Sequence, residues 1–405
     1  RAGPAFLPIA SAAVSWHGLA MISRDDIRAA RAPLACFLTL GLLWGAFAAQ
    51  VPGIKARIDV NDGVFGLCLL VAALGTIVAM WLAPRLDARL EQRTLPALAL
   101  AAAVLFLLPG LATGPLGFAP LLLVAAGTTG ALDVVMNARI SGVEARRGRP
   151  LMNFAHAVFS MAYAVSALTA GLLREAGWPP VAVFALIALA ILALVRVALS
   201  DRAAPLDEAA GAGAPAAGGL IWLGGLVILI GFMAENATEG WSALHLERSL
   251  GGGAAEGAMG PAILGGTMAL GRLGGQALVT RFSEVTVLAL AAALSATGAF
   301  AAAFAESLAM AYAGFAVLGL GVSVVAPMAF SYVGRNVGNR ARTGVIAQIS
   351  MIGYTGFFIG PPVMGFVSEA IGLGWSFAAM GAALLVITFV LAPLLATHHR
   401  RGHAG

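Results

Sequence analysis

Charge is scarce in this chain. Asp, Glu, Lys and Arg make up only 11% of its 405 residues, against 60% hydrophobic, and the mean hydropathy is +0.92. A soluble protein of this size would need far more charge to stay dissolved. Lysine is reduced to a single residue, Lys55, and cysteine to two, Cys36 and Cys68, both inside apolar runs. Two such cysteines exclude a disulfide framework and any cysteine-rich metal site. No Gly-x-x-x-x-Gly-Lys-Ser/Thr stretch is present to cradle a nucleotide, and there is no His-Glu-x-x-His or Gly-x-Ser-x-Gly pattern. An ATP-driven pump and an enzyme therefore have little to stand on, and no cofactor is expected. The shortage of lysine beside abundant Ala, Gly and Arg reads as GC-rich bacterial coding, which suggests a bacterial inner membrane.

What fills the chain instead is apolar runs of bilayer-crossing length. They fall at about 33–53, 64–84, 94–112, 116–140, 151–173, 178–199, 219–243, 257–280, 285–304, 308–333, 343–369 and 372–396. Crossing the hydrocarbon core takes roughly 20 apolar residues at about 1.5 Å of rise each. Helices satisfy their own backbone groups in lipid, which an open sheet cannot do. The expected fold is an all-α, multi-pass membrane protein with twelve transmembrane helices.

The net charge of +5 would suggest nucleic acid in a soluble chain, but here its distribution matters more. With the N-terminus in the cytoplasm, inside segments collect nineteen of the twenty-four basic residues, among them Arg85, Arg89, Arg93, Arg146, Arg147, Arg149, Arg335, Arg400 and Arg401. Outside segments hold Lys55, Arg57, Arg174 and Arg248, and Arg272 lies within a span. The positive-inside rule then puts both termini in the cytoplasm and requires an even number of spans. Basicity here is a topology signal, and no nucleic-acid partner is expected.

The sequence divides into an N-terminal tail (1–30), a six-helix bundle (31–200), a linker (201–218), a second six-helix bundle (219–397) and a basic tail (398–405). Residues 1–20 are expected to be upstream or non-native sequence, with Met21 a more natural start. The Ala-, Gly- and Pro-rich linker has the composition of a flexible connector. The bundles echo each other at an offset of about 192 residues. Arg89 aligns with Arg281, Ala155-His156 with Ala347-Gln348, and Gly171-Leu-Leu-Arg-Glu-Ala-Gly177 with Gly365-Phe-Val-Ser-Glu-Ala-Ile-Gly372. Parallel repeats of this kind place a substrate site near the midplane, between halves that rock against each other.

An ionisable side chain deep in a span costs about 2.5–3.5 kcal/mol on insertion scales, so it faces a partner or water. Asp133, in the fourth span, has Asn137 one turn on, and a carboxyl there could bind and release a proton; the bland reading is a carboxylate paired with an arginine. Asn153, His156, Ser160 and Tyr163 recur at three- and four-residue spacing and share one face of the fifth span. A lone histidine would more often be a packed core residue, but this stripe favours a cavity lining. Glu235 is a second candidate titrating group, whereas Glu239 is expected at a solvated surface. Arg272 and Gln276 share a face of the eighth span. An arginine cannot shed its charge, so Arg272 needs a carboxylate, a carbonyl or a bound anion. Gln50 and Gln348 are weaker candidates for the lining, with interhelical hydrogen bonding the alternative. The pairs Gly41/Gly45 and Gly356/Gly360 read as close-packing positions. Pro327 and Pro361-Pro362 read as helix kinks or breaks.

Several stretches in order along residues 40–395 resemble the major facilitator superfamily, and within it a bacterial branch related to fucose permease. They are Leu132-Asp-Val-Val-Met-Asn-Ala138, Gly148-Arg-Pro-Leu-Met-Asn-Phe-Ala-His156, Glu235-Asn-Ala-Thr-Glu-Gly-Trp-Ser-Ala-Leu244, Gly271-Arg-Leu-Gly-Gly, Ala326-Pro-Met-Ala-Phe-Ser331 and Gly360-Pro-Pro-Val-Met-Gly365. The resemblance implies alternating access and, in sugar-transporting members, proton symport, with the fourth-span acidic residue matching Asp133. It departs at Pro52, where the first-span acidic residue would fall, and in Ala88-Arg-Leu-Glu-Gln-Arg93, where Glu91 replaces the usual loop glycine. The expectation is a monomeric secondary transporter taking up a small polar, sugar-like or organic solute, powered by the proton gradient. Asp133 and Glu235 would serve coupling; Gln50, Asn137, Asn153, His156, Tyr163, Arg272 and Gln348 would bind substrate. Proton-driven efflux of amphipathic or toxic compounds is the alternative, and a sensing or scaffolding protein is the third reading.

Overall fold

The computed structural model describes residues 22–201, 218–279, 282–337 and 339–402, and among these no strand occurs. The helices are α1 (Arg24–Ile58), α2 (Asp62–Leu90), α3 (Thr94–Leu105), α4 (Pro115–Arg147), α5 (Met152–Glu175), α6 (Pro180–Ala198), α7 (Gly218–Leu250), α8 (Ala254–Val279), α9 (Glu284–Ala303), α10 (Leu308–Arg335), α11 (Asn339–Ile371) and α12 (Leu373–Val386). One π turn, Ile387–Leu391, carries α12 into α13 (Ala392–Gly402). Residues 1–21, linker residues 202–217, Arg281 and the side chain of Gln276 lie outside the described residues, so the Arg89/Arg281 match is not visible.

Ten helical stretches among the described residues are long and apolar enough to cross a bilayer. The sequence suggests twelve, and the difference has two local causes. A 3-10 turn (Glu91–Arg93) joins α2 and α3 into one apolar stretch, Asp62–Leu111, and α8, rich in glycine and carrying Arg272, is absent from the ten. Proline did not break the helices that contain it: Pro327 lies within α10, and Pro361 and Pro362 lie within α11.

Helix ends follow from local chemistry. Ser23 and Asp26 form a capping box at the start of α1, with side chain and backbone satisfying each other reciprocally. The Asp26 carboxylate also accepts from Arg147 Nε at 2.8 Å, tying the start of α1 to the end of α4. Asn61 caps α2 by accepting from Val64 N at 2.8 Å. At the end of α2, Glu91 adopts φ 51°, a backbone region that favours glycine, at the very place where the sequence substitutes glutamate for it.

Glycine allows the helices to approach. A Cβ on Gly41 would lie 2.3 Å from Phe159 O, and one on Gly45 would lie 2.2 Å from Tyr163 O, so α1 rests directly on the backbone of α5. Gly356 meets Leu229 O at 2.3 Å in the same way, setting α11 on α7. At the end nearest the termini, Arg139 is only 3% exposed and satisfies Asp87 through both terminal nitrogens and Asp201 through Nε. In the second half, Glu284 at the start of α9 receives Arg335 and Ser331 from α10.

The apolar core is divided unevenly. One cluster at the end away from the termini crosses both halves, joining Ile54, Phe65 and Phe118 to Trp241, Leu244, Ala258 and Phe377. Trp241 is fully buried, edge-on to Phe65 with ring centroids 5.7 Å apart. At the terminal end each half keeps a separate core: Cys36, Leu95, Leu132 and Ile140 in the first, Ile228, Leu264, Val325 and Leu384 in the second. One apolar cluster thus spans both halves at one end, while at the other each half packs around a core of its own.

Replacing Gly45 with Ala is expected to lower stability by about 1–3 kcal/mol through overpacking, and Glu91→Gly to raise it by about 1 kcal/mol by relieving the left-handed backbone. Thermal melting of purified protein in detergent reads both. A Gly45→Ala melt equal to the parent, or a lower Glu91→Gly melt, would contradict them.

Candidate functional site

A charged and polar cluster lies at the junction of the two halves and draws side chains from both. Arg272, on α8, reaches across it. Its guanidinium donates to the Ser160 hydroxyl and, at 3.4 Å, to the His156 carbonyl oxygen, both on α5. In its own half it donates to Glu235 Oε1 on α7 at 3.1 Å. Arg272 and Glu235 are only 12% and 14% exposed. The glycine-rich sequence around it explains how α8 comes so near: a Cβ on Gly265 would meet Tyr163 Cδ1 at 2.8 Å and Ser160 O at 3.0 Å. A guanidinium held this deep must have its charge answered, and Glu235 answers it.

Asp133 is treated differently. It is half-buried on α4, and its carboxylate accepts from Asn137 Nδ2, one turn along the same helix, at 3.0 Å. Asn137 also donates to the Asp133 backbone oxygen at 2.8 Å. Among the described residues Asp133 has no cationic partner, so it is not the paired structural carboxylate of the bland reading. Tyr354 lies on α11, in the second half, and is half-buried. Tyr354 belongs to a ring cluster with Phe232, at 5.5 Å, and Phe357, at 5.9 Å.

The remaining candidates divide. His156 is half-buried and packs edge-on against Phe37 at 5.1 Å, with its charge environment set by Arg272. Tyr163 is 1% exposed, within reach of Glu235 and Glu239, and its hydroxyl has no hydrogen-bond partner among the described residues. Glu239 corrects an expectation. It is half-buried rather than solvated, one helical turn from Glu235 on the same face of α7. Gln50 stands apart: it is fully buried, and its Nε2 donates to Ala170 O at 3.1 Å, joining α1 to α5. Asn153 is half-buried and Gln348 exposed, and neither hydrogen-bonds to the other candidates.

Sequence reasoning gave no role to Tyr354 or its aromatic neighbours Phe232 and Phe357. Gly353-Tyr-Thr-Gly356 carried the available signal, since small residues there bring α11 against α7. Among the described residues, no group of three His, Cys, Asp or Glu side chains could hold a metal.

Two helical halves clasped at one end, with a charged and polar cluster buried between them, define a transporter of small solutes through a membrane. The chain belongs to the major facilitator superfamily. The family model described as Major Facilitator Superfamily matches residues 268–404. An uncharacterized MFS-type transporter of Yersinia pestis is 34% identical over 87% of this chain and 92% of its own length. In fold, the chain is similar to a bacterial homologue of the human lysosomal transporter Spinster in an inward-facing, occupied conformation (TM-score 0.70, 15% identity, 93% of this chain and 98% of that one). It is similar also to the Escherichia coli fucose:proton symporter (TM-score 0.58, 17% identity, 90% and 98%).

Truncating Arg272 to Ala leaves the Glu235 carboxylate buried without its counter-charge and is expected to cost about 3 kcal/mol. The neutral pair Glu235→Gln with Arg272→Gln is expected to recover most of that loss. Melting curves of the three proteins check this; a double variant no more stable than Arg272→Ala would show that the pair does not act as a unit.

Proposed function

We propose that this chain is a secondary active transporter that moves a small polar solute, sugar-like or organic, across the bacterial inner membrane by alternating access in symport with protons. The observation that carries the reading is the contrast between two carboxylates: Glu235 is neutralised by Arg272, while Asp133 has only Asn137. A carboxyl without a fixed counter-charge can take a proton when the site faces one solution and release it to the other. Twelve spans with both termini in the cytoplasm, as the arginine distribution suggests, would make the end with separate cores the inward one. Similarity to a protein solved in an inward-facing state supports that orientation, and the fucose:proton symporter supports the energy source.

Solute would enter between the halves and meet donors and acceptors from both: Asn137, Asn153, His156 and the unpartnered Tyr163 hydroxyl on one side, Glu235 and Arg272 on the other. Groups contributed from both sides make the bound solute a bridge whose binding energy can favour closure, which is what couples occupancy to the exchange between states. The Gln50 hydrogen bond to Ala170 instead holds α1 on α5 within one half, a positioning role.

Efflux of amphipathic compounds is the second reading. The ring cluster of Phe232, Tyr354 and Phe357 favours it, since aromatic faces suit amphipathic cargo.

The symport reading is tested in proteoliposomes carrying an interior pH dye and challenged with a panel of radiolabelled sugars and organic acids. Solute-dependent proton entry is expected, with Asp133→Asn abolishing gradient-driven uptake while leaving solute exchange at equilibrium. Undiminished proton-coupled uptake by Asp133→Asn would remove that residue from the mechanism. Hypersensitivity of a deletion strain to toxic compounds, without any uptake defect, would favour efflux.

A further inference from the structure

The fused end of the molecule holds a feature that occurs twice. Glu175 is the last residue of α5, and Glu369 lies two residues before the end of α11. Each sits at the negative end of its own helix dipole, the unfavourable place for a carboxylate. Each finds its partner in the other half. Glu175 Oε2 accepts from the backbone N–H of Ala255, the second residue of α8, at 3.0 Å. Glu369 Oε2 accepts from the N–H of Gly63, the second residue of α2, at 3.0 Å, and its Oε1 accepts from Asn61 Nδ2 at 2.8 Å.

The seating is duplicated as well. Four residues before each glutamate stands a glycine, Gly171 and Gly365, in the two segments that align between the repeats. A Cβ on Gly171 would lie 2.2 Å from Ala258 Cβ of α8, and one on Gly365 would lie 2.3 Å from Asp62 O of α2. The glycine brings the helix end against its partner, and the glutamate one turn later reaches that partner's exposed N–H groups. Glycine receives the carboxylate too: a Cβ on Gly63 would stand 2.6 Å from Glu369 Oε2, and one on Gly253 would stand 3.2 Å from Glu175 Oε2.

We infer that Gly171-x-x-x-Glu175 and Gly365-x-x-x-Glu369 are paired latches that hold this end of the transporter shut, each by a carboxylate capping a helix of the opposite half. The proposal rests on the alternating-access reading and names positioning residues for it. Opening at this end takes the other half's N–H groups away and leaves both carboxylates facing only the negative ends of their own helices, so the latches weight the equilibrium toward the state seen here. Ion pairs flank both latches. Arg174 donates to Glu247 and, at 3.0 Å, to Ala254 O beside the first. Arg248 binds Asp62 and Ser368 beside the second, where Lys55 also meets Asp62 at 3.0 Å. These pairs are not duplicated between the repeats, whereas the capping glutamates are.

Spin labels test this on the full-length protein in liposomes, at Leu116→Cys and Glu306→Cys on opposite halves of this end, with Cys36 and Cys68 replaced by Ser. Glutamine keeps an accepting oxygen and the fold but removes the charge. Glu175→Gln and Glu369→Gln are each expected to raise the population with a long label-to-label distance about twofold to fivefold, and the double variant by the product of the two. The alanine variants should shift it at least as far, with helix content by circular dichroism unchanged. Distances unmoved in both glutamine and alanine variants would overturn the latches, and a response at only one glutamate would overturn their pairing. Distance populations are read without transport, so failure of this inference is distinguishable from failure of the symport reading.

Discussion

The two halves approach most closely where side chains are small enough for one backbone to touch another. In lipid no hydrophobic force drives helices together, and association depends on close packing and on hydrogen bonds that close packing permits. Gly171 against Ala258 and Gly265 against Tyr163 seat α5 on α8; Gly66 against Pro361 and Gly365 against Asp62 seat α2 on α11. These two pairings join the halves at one end, and a single apolar cluster fills the junction around Trp241 and Phe65.

The charges at the junction follow from the same arrangement. Because α8 lies directly on α5, Arg272 is carried to the middle of the molecule, where water is scarce and its charge persists. It is met by Glu235 in its own half and by oxygens of His156 and Ser160 in the other. That pairing gives Glu235 a counter-charge and leaves Asp133 and Glu239 without an ion-pair partner among the described residues. Glu239 lies one turn from Glu235 on α7.

Much of this was legible before any coordinates. Long apolar runs specify helices because only helices and closed barrels satisfy the backbone in lipid. The i, i+3 and i+4 spacing of Asn153, His156, Ser160 and Tyr163 identifies a polar face, and the isolated Asp133 and Arg272 mark themselves by their cost in a span. Glu91, out of place in a loop that favours glycine, does take a positive φ. Less legible were the fates of individual polar groups. Gln50 and Asn137 are both amides within apolar helices, yet one holds α1 to α5 and the other holds the Asp133 carboxylate. The Asn137 bond follows from its i, i+4 spacing to Asp133, whereas the Gln50 bond depends on what the neighbouring helix presents.

The order of apolar and polar residues along the chain determined by itself the helical class and the identity of the costly charges, since both depend on local periodicity or on transfer from water to lipid. Tertiary structure alone decided which charge is answered and which is not, that Glu239 faces inward, and that Glu175 and Glu369 cap helices of the opposite half. Those outcomes depend on contacts between residues scores of positions apart, whose geometry is set by helix packing and not by any stretch of sequence read on its own.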